Sequence, residues 1–145
     1  MSLPKIVATG PMDETAEAIL APFGPLFISP QTAADAFVPK LGQPVGLLVR
    51  GEAQITADVI AAGPALKVIG RSGVGYNNVD VDAATARGIP LVYTPGAGAR
   101  AVAEAAMAMM LAMCKRIVHW DGELKAGRWT SRHEITNRDL DGATL

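Results

Sequence analysis

Residues 70–80, GRSGVGYNNVD, hold the pattern in this chain best suited to chemistry. Gly73 and Gly75 flank Val74 shortly after an apolar run, Lys67-Val68-Ile69, so small residues follow a strand. A segment with little side chain bares its backbone N–H groups, and a concave row of such donors suits a phosphate or a carboxylate. A dinucleotide turn is one candidate. That fingerprint requires a third small residue three positions after the second glycine, and an acid about 20 residues later at the end of the next strand. Here the third position is Asn78, and the next strand ends in Tyr93-Thr94-Pro95 with no acid before Glu104. The loop also follows the fourth strand rather than the first. The dinucleotide reading fails. Two readings stay open on the residues alone: a tight turn whose glycines take positive φ, and an anion cradle, Ser72 to Gly75, at the carboxyl end of a strand, where open α/β sheets bind ligands.

Few other side chains offer reactive chemistry. His119 adjoins Trp120 near a helix end and His133 sits in a polar tail, so neither is expected to be catalytic. The one cysteine, Cys114, excludes an internal disulfide and a cysteine-based metal cluster, and it suits a reducing compartment. No metal site is expected.

The elements that must position the loop alternate between short apolar runs and helix-like segments. Ile6-Val7-Ala8, Pro25–Ile28, Val45–Val49, Lys67–Ile69 and Pro90–Thr94 read as strands. They are continuously apolar rather than alternating, as in strands covered on both faces. Asp13, Thr56 and Asp80 stand as N-caps before ETAEAILAPFG, ADVIAAG and VDAATARG, the last stopped by Gly88. A further helix is expected between the second and third strands. The order implies an α/β fold, a parallel five-stranded sheet with helices on both faces. From Ala99 to Ala126 the pattern becomes one long helix, whose only charge between Ala101 and Cys114 is Glu104. A helix apolar all round must be covered all round, so another body is expected against it. The tail from residue 127 is polar and reads as a linker.

Bulk properties narrow the function. The chain has 145 residues, enough for one domain with a proper core. Its net charge of −1 and pI of 6.1 offer no field to attract nucleic acid or an anionic membrane. Half the residues are hydrophobic, 50%, and the mean hydropathy of +0.25 is high. Yet the longest apolar run, Ala105–Cys114, is far short of the roughly 18–20 residues that span a bilayer. The N-terminus MSLPKIVATG lacks a basic start and a long apolar stretch, so a cytoplasmic protein is expected.

Three ordered motifs carry a family resemblance. GVGYNNVD fits G-x-G-x-[DN]-N-[VI]-D, ATARGIP fits A-x-x-[RK]-G-I-P, and TPGAGARAVAE fits T-P-G-x-x-x-x-x-V-A-E. Together they resemble the D-isomer-specific 2-hydroxyacid dehydrogenases, particularly the D-3-phosphoglycerate dehydrogenase-like branch, well over residues 45–118 and loosely elsewhere. The resemblance implies a flavodoxin-like substrate-binding domain over residues 1–98, an interdomain helix over 99–126, and a linker over 127–145 leading to an NAD-binding Rossmann domain.

It also implies roles residue by residue. The N–H groups of Val74 and Gly75, in the loop Ser72 to Gly75, would hold the substrate carboxylate. Arg50 matches an arginine that approaches a substrate phosphate, which makes 3-phosphoglycerate the first candidate substrate. A guanidinium suits phosphate because it can donate two parallel hydrogen bonds. Val102 matches a small apolar residue near the nicotinamide. Gly98 stands where many members carry a substrate-touching Asn, and Tyr93 replaces a frequent Asn before Thr-Pro. The family's catalytic arginine, glutamate and histidine match nothing here, so no catalytic residue is expected, and the chain alone is expected to be inactive and to bind no NAD or NADP. The partners implied are a small 2-hydroxy or 2-keto acid and a second copy through the helix 101–118.

Two other classes compete. The turn Thr9–Thr15 is weakly similar to an FMN phosphate loop of a stand-alone flavodoxin-like module, although Pro11 removes a donor and Asp13 and Glu14 would repel phosphate. A small interaction protein using the Ala/Met helix as its partner surface is the other.

Overall fold

The computed structural model describes residues 5–29 and 43–144, in two compact units, Met1–Ala97 and Gly98–Leu145. In the first, five short strands form one sheet: β1 (Ile6–Ala8), β2 (Leu26–Ile28), β3 (Gly46–Val49), β4 (Val68–Arg71) and β5 (Leu91–Tyr93). Every pairing is parallel, in the order β2-β1-β3-β4-β5. This is the strand order of flavodoxin-like doubly wound sheets, whose direction of winding reverses between β1 and β3. The expected helix between β2 and β3 falls within residues 30–42, outside the described residues.

The helices form where local chemistry starts and stops them. In α1 (Glu14–Leu20) the Asp13 carboxylate accepts from the Thr15 N–H at 2.9 Å. In α2 (Ala57–Ala61) the Thr56 hydroxyl accepts from Val59, and in α3 (Val81–Ala86) Asp80 accepts from Ala83. Each cap satisfies a backbone donor that the first helical turn leaves without a partner. Gly88, at φ 64, turns the chain out of α3, a conformation that costs glycine little.

Winding reverses after β2, so right-handed crossovers send α1 to one face of the sheet and α2 and α3 to the other. On the second face Val7, Leu47, Val49 and Ile69 from the strands meet Val59, Ile60 and Ala84 from α2 and α3. Ile60 and Ile69 are fully buried, and each such side chain contributes about 1.5–3 kcal/mol. This core holds the carboxyl ends of β3, β4 and β5 in fixed register, with Val49 opposite Arg71 and Arg71 opposite Tyr93.

In the second unit the expected single helix is instead two, α4 (Ala99–Cys114) and α5 (Ile117–Lys125). The break is at Arg116, the only non-glycine residue at positive φ among those described (φ 49). No glycine or proline marks it. The tail supplies the reason: the Arg138 N–H donates to the Cys114 carbonyl at 3.0 Å, Lys115 pairs with Asp139, and the Trp120 indole donates to Asn137 at 3.0 Å. The first of these bonds takes up the Cys114 carbonyl, which an uninterrupted helix would have paired internally, and the other two tie side chains on either side of the break to the tail. Residues 129–133 form a short 3₁₀ turn with Ser131 buried. No residue of α4 is buried, and no described helix is long and apolar enough to cross a membrane.

Candidate functional site

The glycine loop leaves β4 at its carboxyl end and is held from both sides. On the β3 side, the Ser72 N–H donates to the Val49 carbonyl at 3.1 Å. Asn78, nearly fully buried, donates from its amide to the Ala53 carbonyl at 2.8 Å and to the Gly51 carbonyl at 3.4 Å. A short parallel bridge joins Ile55 to Val79, with the Ile55 N–H donating to Asn78 and the Asp80 N–H to Ile55, both at 2.8 Å. On the β5 side, the Thr94 N–H donates to the Gly73 carbonyl at 3.2 Å. Tyr76 meets Tyr93 edge to face, ring centroids 5.1 Å apart.

Between these anchors the loop is bare. Among the described residues, the N–H groups of Gly73, Val74, Gly75 and Tyr76 donate to no protein acceptor. Val74 is 47% exposed, so the loop opens to solvent at the end of β4. A run of unsatisfied amides in such a place can take an anion. Gly73 lies at φ 151, a conformation side chains rarely adopt. The vacant side-chain space there is filled by Arg71, whose guanidinium bonds back to the Ser72 carbonyl and to Asn78.

Asn78 also tests the dinucleotide reading. A pyrophosphate turn needs a small residue there so that a helix can close on the strand. This position instead carries a buried amide that ties the loop to residues 51–53.

Arg50 stands at the carboxyl end of β3, next to β1 at the reversal of winding. The buried Thr9 hydroxyl accepts from the Arg50 N–H at 2.7 Å and donates to the Arg50 carbonyl at 3.0 Å. Its guanidinium bonds to nothing among the described residues. That same pairing commits the hydroxyl of Thr9, and Asp13 is committed to Thr15, a bond that holds its carboxyl below the ordinary range. The flavin-loop alternative gains no support from either residue.

Ser72, Gly73, Val74 and Gly75 thus form one surface, with Arg50 at the end of the adjoining strand. Gly98 and Val102 belong to the second unit. Gly98 precedes α4 at φ 80 and its carbonyl accepts from the Val102 N–H at 2.9 Å, while Val102 is 70% exposed. His119 packs edge to face on Trp120 within α5, and His133 ends the 3₁₀ turn. No three His, Cys, Asp or Glu side chains among the described residues converge as a metal site.

The residue pattern did not single out Asn78, Arg71 and Tyr76 as contacts that hold the glycine loop. The doubled Asn77-Asn78 before Val79 was the available signal for the first. Nothing local announced the other two.

The chain matches, over residues 8–144, the family model described as D-isomer specific 2-hydroxyacid dehydrogenase, catalytic domain. It is 38% identical over 141 residues to the D-3-phosphoglycerate dehydrogenase of Methanocaldococcus jannaschii, covering 97% of this chain and 27% of that protein. It is 43% identical over 99 residues to the hydroxypyruvate reductase of Thermotoga maritima, covering 68% of this chain and 32% of that one. Among solved structures, the NADPH-dependent glyoxylate/hydroxypyruvate reductase of Sinorhizobium meliloti in complex with citrate aligns with a TM-score of 0.79 at 26% identity, over 99% of this chain and 45% of its own. The chain therefore spans about a third or less of the length of the two curated relatives.

Proposed function

This chain belongs to the D-isomer specific 2-hydroxyacid dehydrogenase family, and from that premise we propose that it is the substrate-binding part of such an enzyme. The parent interconverts a 2-hydroxy acid and its 2-keto acid, with NAD or NADP as the hydride carrier. The observation that carries this reading is the run of N–H groups from Gly73 to Tyr76, unpaired among the described residues, at the carboxyl end of β4. The Val74 and Gly75 N–H groups hold the substrate carboxylate, and Ser72 flanks them.

Arg50 is the candidate for a second anchor. Thr9 fixes its backbone, and its guanidinium can meet an anionic far end such as the phosphate of 3-phosphoglycerate. The name of the Methanocaldococcus jannaschii relative supports that substrate. Gly98 offers only backbone to a substrate, and Val102 supplies an apolar surface for the nicotinamide. The cofactor, when bound to the parent, supplies hydride transfer. This chain's own residues bind and orient the acid. With the loop's third position occupied by Asn78, the phosphates of the cofactor are held elsewhere in the parent. α4 and its apolar side chains pack against that cofactor-binding portion, and residues 127–145 lead towards it.

The test is Gly75→Val in the full-length parent. A branched side chain over the cradle removes access to hydrogen bonds with a charged acceptor, so KM for the 2-hydroxy acid should rise about tenfold or more. NAD affinity should be unchanged. Loss of NAD affinity with substrate KM intact would return the loop to a cofactor role.

A further inference from the structure

The cradle has a structural cost that points to Tyr93. A loop that keeps its N–H groups for a ligand cannot use them to define its own shape, so contacts at its ends must do so. At the leading end, Ser72 bonds to Val49 and the Gly73 carbonyl accepts from Thr94. At the trailing end, the Val79 N–H donates to the Tyr76 carbonyl at 3.0 Å and Asn78 is bonded into residues 51–53. The last of those donors belongs to Tyr76, whose ring, among the described residues, meets one ring, that of Tyr93 on the edge strand β5. Both rings are largely outside the core, 43% and 40% exposed, so their contact does little for packing of the sheet. What it does is fix where the chain goes immediately after Gly75.

We propose that Tyr93 is a positioning residue for carboxylate binding: by holding Tyr76 edge to face, it keeps the Val74 and Gly75 N–H groups convergent. This rests on the cradle reading above. Tyr93 does not touch the carboxylate. It acts through Tyr76, and the aromatic ring rather than the hydroxyl is the working part.

The experiment is an NMR titration of the ¹⁵N-labelled chain with pyruvate as the carboxylate probe, following the amides of residues 73–76. In the wild type these should shift saturably. Tyr93→Leu, which keeps apolar bulk without the edge-to-face geometry, should weaken pyruvate binding about threefold to tenfold, the span of an aromatic pair's contribution. It should also speed hydrogen exchange at those amides, while amides in the core strands β3 and β4 keep their protection. Tyr93→Phe should restore both, and Tyr76→Leu should reproduce the loss. Equal pyruvate affinity in wild type and Tyr93→Leu overturns the positioning role and leaves the cradle standing. Failure of Tyr93→Phe to restore affinity overturns it as well. Absence of any shift at residues 73–76 in the wild type overturns the cradle, and the role of Tyr93 with it.

Discussion

Arg71 occupies the space that a side chain on Gly73 would need: a Cβ built on Gly73 lies 2.7 Å from the Arg71 Nη1 and 3.2 Å from its Cζ. Glycine at this position therefore does two things. It accepts a φ of 151, and it lets the guanidinium fold back over the loop to Ser72 and Asn78.

Gly73→Ala should accordingly lower stability by about 1–3 kcal/mol, chiefly through backbone strain, because the arginine end can swing away. Urea unfolding followed by circular dichroism measures it. A loss near zero would mean that the loop relaxes to a conformation open to any residue.

Asn78→Ala should cost about 1–3 kcal/mol, since it leaves the buried carbonyl of Ala53 without its donor. Asn78→Gly, which restores the third small residue of a dinucleotide turn, should cost no less and should create no NAD affinity. Unfolding midpoints and a calorimetric NAD titration of the same proteins check both halves.

The pair of Glu123 and Arg128 gives the second unit a pH dependence. Glu123 accepts from Arg128 Nε at 2.8 Å and Nη2 at 2.6 Å, and this partner foremost holds its carboxyl down to about 2, against an ordinary 4.5. A carboxyl lowered on folding stabilises above its unfolded value and loses that contribution as pH falls through its folded one. Thermal melts of wild type and Glu123→Gln should differ near neutral pH and converge between 4.5 and about 2. A difference independent of pH would exclude the carboxylate as its source.

α4 exposes Val102, Met107, Met109, Leu111 and Met113 along its length and buries none of its residues. Unpaired, such a surface favours self-association. Sedimentation velocity should show the isolated chain heavier than its 15.1 kDa protomer at raised concentration, and Met109→Glu should shift it towards monomer. Monomer at every concentration would count against a helix-mediated dimer.

How much of this was legible in advance follows from distance along the chain. Strands buried in a parallel sheet write themselves as apolar runs, and all five could be placed to within one or two residues. The caps at Asp13, Thr56 and Asp80 were equally visible, because each side chain bonds a backbone donor two or three residues on. The apolar run Lys67–Ile69 already put the loop at the end of β4. Contacts between distant residues were not visible. The edge-to-face meeting of Tyr76 and Tyr93 depends on β4 and β5 lying side by side in register. The bond between Asn78 and Ala53 spans 25 residues. The break at Arg116 has no glycine or proline to mark it, and tail residues 137–139 bond to the chain on either side of it. By itself the sequence determined the five strands and the capped helices α1, α2 and α3, since propensity, burial pattern and capping act within a few residues. Only the tertiary structure decided the shape of the glycine loop, because among the described residues its N–H groups from Gly73 to Tyr76 bond to nothing, and Val49, Ala53 and Tyr93, which hold it, are brought to it by folding alone.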